Sequence, residues 1–143
     1  MTILTTHVGS LPRPKIVSEL LFKREKEEEY NLQYFEEVIS KSVEEVVKKQ
    51  LDVGVDIISD GEMSKISYAT YVKDRYNGFA GDSERNPPQD LEKFPNYMKK
   101  IADSGGTPTY SRPCCVAEIS SKKNNDLSND IKNLLNASKK LNH

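Results

Sequence analysis

The chain has no tryptophan, only two histidines and only two cysteines, and the scarcity of the last two removes whole classes of function. Cys114 and Cys115 are neighbours, so they form neither a disulfide framework nor a CxxC redox pair. Two reduced thiols in a cytoplasmic protein are the expectation. There is no HExxH, and His143 is the last residue, which leaves His7 as the internal imidazole. Zinc ordinarily takes three or four protein ligands, so one histidine and two adjacent cysteines fall short of a metal site. No run approaches the ~18 apolar residues of a membrane span. Met1 to Ser10 has no basic start followed by an apolar stretch, so no secretory signal is expected. Neither sign of charge dominates. With 21 Lys+Arg against 22 Asp+Glu, nothing outweighs the acids enough to neutralise a phosphate backbone, and a nucleic-acid partner is excluded.

What is present suits one α/β domain over residues 1–143. Thr2 to Thr6 is β-branched and apolar, with Gly9 just beyond, and reads as a short strand ending in a loop. Pro14 can open a helix that carries Ile16, Val17, Leu20 and Leu21. The longest element is expected over 32–53. Phe35, Val38, Ile39, Val43, Val46, Val47 and Leu51 recur at three- and four-residue intervals, with Asn31 as cap and Gly54 as stop. Val55 to Asp60 then reads as a short buried strand that runs into Asp60-Gly61-Glu62.

Beyond it a short helix is expected over 66–76 and a loop over 77–90. A helix broken by Pro95 is expected from Leu91 to Ala102, and a second loop at Gly105 to Pro108. A strand at Val116 to Ile119 and a helix capped by Asp126 complete the order β-α-α-β-α-loop-β-α.

Two clusters can carry chemistry. In Thr6-His7-Val8-Gly9-Ser10 the glycine lets backbone approach a ligand, and neighbouring amides can bind a carboxylate. The plainer reading is a turn bearing a surface histidine. Asp60 and Glu62 flank a glycine at the C-terminal end of a strand, where ligands of parallel sheets sit. They can take an amine, a metal or a proton, or they form a polar turn in which Asp60 caps the next helix.

Thr6-His7-Val8-Gly9-Ser10-Leu11-Pro12-Arg13-Pro14, followed by Gly54 to Lys65 with its Asp60-Gly61-Glu62, resembles the opening of the cobalamin-independent methionine synthase catalytic domain and its single-domain relatives. Tyr71 to Phe79, Phe94 to Tyr97 and Leu127 to Leu135 are similar as well. The resemblance implies the N-terminal part of a TIM (β/α)8 barrel, of the type shared in outline with uroporphyrinogen decarboxylase. It implies methyl transfer from polyglutamylated 5-methyltetrahydrofolate to zinc-bound homocysteine, as in methionine biosynthesis.

Carried over, Val8, Gly9 and Ser10 match the segment that holds the amino-acid part of homocysteine, and Glu62 matches the carboxylate on its ammonium. His7 stands where the large synthases have threonine, and Asp60 completes the substrate-binding set. Ala117-Glu118 stands where Gly-Pro is usual. The family's zinc ligands include a His-x-Cys pair, and this chain has none, so no metal ligand and no catalytic residue is assigned.

A full barrel typically needs ~250 residues, so a truncated, incomplete barrel is expected, inactive by itself. Its open sheet edge and the uncovered stripe of helix 32–53 predict self-association or pairing with a complementary C-terminal half. The alternatives are a non-catalytic binding module and a related transferase with another thiol acceptor.

Overall fold

A computed structural model describes residues 3–81, 89–103 and 113–142. The element order is α1 (Lys15–Glu25), α2 (Leu32–Asp52), α3 (Tyr68–Arg75), β1 (Tyr76–Ala80), α4 (Pro95–Asp103), β2 (Cys114–Ser121) and α5 (Asp126–Lys140). The mixture is compatible with an α/β chain. It forms two compact units, Met1–Ile66 with Lys123–His143, and Ser67–Lys122.

The first unit is organised around α2. The Asn31 side chain accepts from the Tyr34 amide at 2.9 Å, so the expected cap forms. Phe35, Ile39, Val43, Val46 and Val47 are buried on one face, as the periodicity requires. Two elements cover that face. α1 contributes Val17, Leu20 and Leu21, and α5 contributes Ala137, with Leu134 and Leu141 packed alongside. Met63, 1% exposed, is also buried in this core.

The expectation of an uncovered α2 stripe is therefore corrected, because the last helix is amphipathic and docks there. Two ion pairs hold it: Lys140 to Glu44 at 2.7 Å and Arg24 to Asp126 at 3.1 Å. Asp126 is the first helical residue and not the cap, which is Asn125. Likewise Pro14 is the cap of α1, with extended ψ, and not part of its first turn. Ile16 points outward.

The expected strands at 2–6 and 55–60 are not formed as strands. Their pairing reduces to one parallel bridge, Thr6 to Ile57. The physical reason is exposure. Parallel strands are stable when both faces are covered, whereas Ile3, Leu4 and Ile57 are 86%, 62% and 52% exposed. The sheet seen among the described residues is instead antiparallel and belongs to the second unit.

There β1 pairs with β2 in the register Tyr76 to Ser121 and Ala80 to Cys114, with a bulge between Asn77 and Phe79. Part of the expected loop 77–90 is thus a strand, and residues 82–88 lie outside the described residues. So does the expected loop Gly105 to Pro108. The expected strand 116–119 is found within β2. Pro95 starts α4 instead of breaking a helix, since a first-turn proline loses no hydrogen bond. Ser67 and Thr70 form a reciprocal cap at the start of α3.

Candidate amino-acid site

Two segments far apart in sequence, 5–13 and 56–65, run side by side in the first unit. At their start the Thr5 amide and hydroxyl both donate to the Asp56 carboxylate, at 2.8 and 2.7 Å. These bonds hold the Asp56 carboxyl below the ordinary carboxylate range. Ile57 N donates to Thr5 O at 3.0 Å, and Thr6 Oγ1 donates to Ile57 O at 2.8 Å. Further along, Leu11 N donates to Gly61 O at 3.0 Å.

The turn that follows is tight. Gly61 and Glu62 both lie in the left-handed region, at φ 61° and 56°. Gly61 is required twice over. A side chain there is disfavoured by φ, and a Cβ would come within 3.1 Å of Leu11 Cβ and 3.2 Å of Met63 Cε. Glu62 has no such licence, and a non-glycine residue in this region costs on the order of 1–3 kcal/mol. Asp60 Oδ1 supports the turn by accepting from Glu62 N at 3.0 Å. Asp60 therefore acts within the turn, and Lys65 Nζ lies 4.0 Å from its other oxygen.

The turn delivers Glu62 to Ser10. The Ser10 hydroxyl donates to Glu62 Oε2 at 2.6 Å, in the short range of hydrogen bonds to ionised carboxylates. Arg13 joins both partners. Its Nε and Nη2 donate to the Glu62 carbonyl at 3.2 and 3.1 Å, and Nη2 reaches Ser10 Oγ at 3.4 Å. Burial lowers the Arg13 pKa from its ordinary value, with the Glu62 charge opposing that shift.

Gly9 has φ 91°, a conformation other residues rarely adopt, and Val8 is 84% exposed. Among the described residues, the amides of Val8, Gly9 and Ser10 make no hydrogen bond. His7 Nε2 lies 3.0 Å from the Gly9 carbonyl, so the ring folds back on its own loop. A groove of about 560 Å³ is lined by apolar Leu11, Val46 and Met63 and by charged Arg13, Glu45 and Lys49.

Of the residues singled out in the sequence, Ser10 and Glu62 are brought into contact, with Gly9 beside Ser10. Asp60 and His7 are turned to local backbone. Arg13 is the residue that sequence reading left unassigned. Its signal was a charge set between Pro12 and Pro14, whose rings restrict φ on both sides of it. Among the described residues no group of three or more His, Cys, Asp or Glu could hold a metal ion, so the described residues do not fit a zinc site.

Residues 3–86 match the family model for the cobalamin-independent synthase catalytic domain, a stretch that contains both segments. Over 80 residues the chain is 34% identical to the methionine synthase of Sulfolobus acidocaldarius. That alignment takes in 55% of this chain and 23% of the relative, so the chain matches under a quarter of that protein's length.

Proposed function

The chain belongs to the cobalamin-independent synthase catalytic-domain family, and on that premise we propose that its Ser10–Glu62 corner binds the amino-acid end of homocysteine for methyl transfer from a methyl-folate. The carrying observation is the 2.6 Å bond between Ser10 Oγ and Glu62 Oε2. It supports a corner where a carboxylate meets the loop of Val8, Gly9 and Ser10. An α-amino acid carries an ammonium and a carboxylate on one carbon, and this corner offers one complement for each. Glu62 takes the ammonium, and the amides of Val8 to Ser10 take the carboxylate.

In this reading the segments 3–6 and 55–60 run where the first two parallel strands of a TIM barrel would lie, with α1 and α2 on the crossover between them. The parallel sense of the Thr6–Ile57 bridge supports it. Residues 1–143 are then one domain of that family, and they contribute recognition. Zinc, in the intact family, would activate the thiol. The described residues offer no group to hold it.

The corner reads the α-carbon of its ligand and not the side chain. Another amino-acid thiol would therefore bind in the same way, and the acceptor is set by residues outside it.

The test is L-homocysteine titrated into the chain and into Glu62→Gln, followed by calorimetry or amide shifts of Ser10 and Glu62. Breaking one partner of such a charge pair commonly costs ~2–5 kcal/mol, so the variant should bind at least tenfold more weakly. Equal affinity in the two chains would overturn the proposal.

A further inference from the structure

We infer that Arg13 is a positioning residue that aims the Glu62 carboxylate, acting through the Glu62 backbone carbonyl; the inference rests on the reading of Glu62 as the ammonium partner. Glu62 sits at φ 56°, where a non-glycine residue persists only when its surroundings hold it. Its amide is held by Asp60 Oδ1 at 3.0 Å. Its carbonyl is held by two nitrogens of one guanidinium, at 3.2 and 3.1 Å. The peptide groups on both sides of the Glu62 Cα are thereby clamped, and the direction of its side chain follows.

The same guanidinium reaches Ser10 Oγ at 3.4 Å, so the donor of the 2.6 Å bond and the backbone of its acceptor residue are held by one rigid plane. Arg13 is itself fixed at its base. Pro12 and Pro14 flank it, and the Leu11 amide is tied to Gly61 O at 3.0 Å. The fork is a property of arginine. Lysine offers one nitrogen, and its three hydrogens cannot present two parallel donors from fixed positions on a plane.

Arg13 donates to a carbonyl and a hydroxyl of the corner itself, the role of a group that holds it in place. Its charge persists at any physiological pH despite the lowering by burial.

The test uses the full chain with Arg13→Gln, Arg13→Lys and Glu62→Gln, together with the Arg13→Gln/Glu62→Gln pair. The probe is L-homocysteine. Backbone carbon shifts and the amide–Hα coupling of Glu62 report its φ without any ligand. Arg13→Gln and Arg13→Lys should each weaken homocysteine binding by roughly tenfold or more, as expected for hydrogen bonds made by a charged group. Both should also shift the Glu62 signature away from the left-handed region. Arg13→Gln should cost little further affinity once Glu62 is Gln, a coupling that loss of general stability would not produce.

If Arg13→Gln binds like the parent while Glu62→Gln does not, the inference falls and the function proposed above stands. If the parent and Glu62→Gln bind alike, that function falls, and Arg13 is judged on φ alone. A left-handed Glu62 retained in both Arg13 variants overturns the inference. Should Arg13→Gln fail to fold, Arg13→Lys decides, because it keeps the charge and the aliphatic stem.

Discussion

Gln50 holds Ser59 from both sides. Its Nε2 donates to the Ser59 carbonyl at 2.8 Å, while its Oε1 accepts from the Ser59 amide at 3.0 Å. Nε2 also reaches Val46 O at 3.1 Å, and the residue is 4% exposed. One buried side chain thus replaces the strand partner that Ser59 lacks and ties α2 to the segment leading into Glu62.

Replacing Gln50 with Ala should therefore be costly. It leaves a sheltered N–H and C=O without partners, each worth about 1–3 kcal/mol. Urea unfolding should show a loss of about 2–4 kcal/mol. A loss below about 1 kcal/mol would mean that water takes over both groups.

Gly61→Ala tests the turn. The new methyl would meet Leu11 Cβ at 3.1 Å in a backbone conformation with φ 61°. The left-handed penalty alone is about 1–2 kcal/mol. Thermal melting should fall by several degrees, and the Ser10–Glu62 contact should loosen with it. An unchanged melting temperature would show that the turn can open without consequence.

Acid should loosen the start of the paired segments. The Thr5 hydroxyl and amide lower the Asp56 pKa, so the folded state binds this proton less readily than the unfolded chain. The stabilisation is then present above the unfolded value of about 4 and is lost as pH falls through the lower folded value. The stability gap between the parent and Asp56→Asn should be constant from pH 7 to about 5 and should close below about 4. A gap that widened in acid would reverse the sign and discard the assignment.

The chain should carry little zinc. With no metal-holding group among the described residues, protein purified without an affinity tag should contain far less than one zinc per chain. Near-stoichiometric zinc that survives a chelator would contradict this.

The elements that could be read from the chain are those with local causes. α2 has a 3.6-residue apolar stripe, an asparagine cap bonded to Tyr34 N and Gly54 at its end, and each of these acts within a few residues. The meeting of Ser10 with Glu62 was also legible, since both clusters follow segments expected to lie parallel. The partners that were missed are long-range. Nothing in the order of residues 15–25 or 126–140 says that Arg24 pairs with Asp126, or that Ala137 closes the core over α2.

The amino-acid sequence by itself determined α2, its asparagine cap and the two clusters that make the corner, because periodicity, side-chain caps and glycine conformations are properties of neighbours. Only the tertiary structure decided that Tyr76–Ala80 pairs antiparallel with Cys114–Ser121 while Thr6 and Ile57 share a single parallel bridge. Strand pairing depends on what covers each face and edge, and that is set by residues distant in the chain. It also decided the role of Arg13. A guanidinium between two prolines carries no address in sequence, and its target became visible only where Glu62, in a left-handed turn, presents its carbonyl at 3.1 Å.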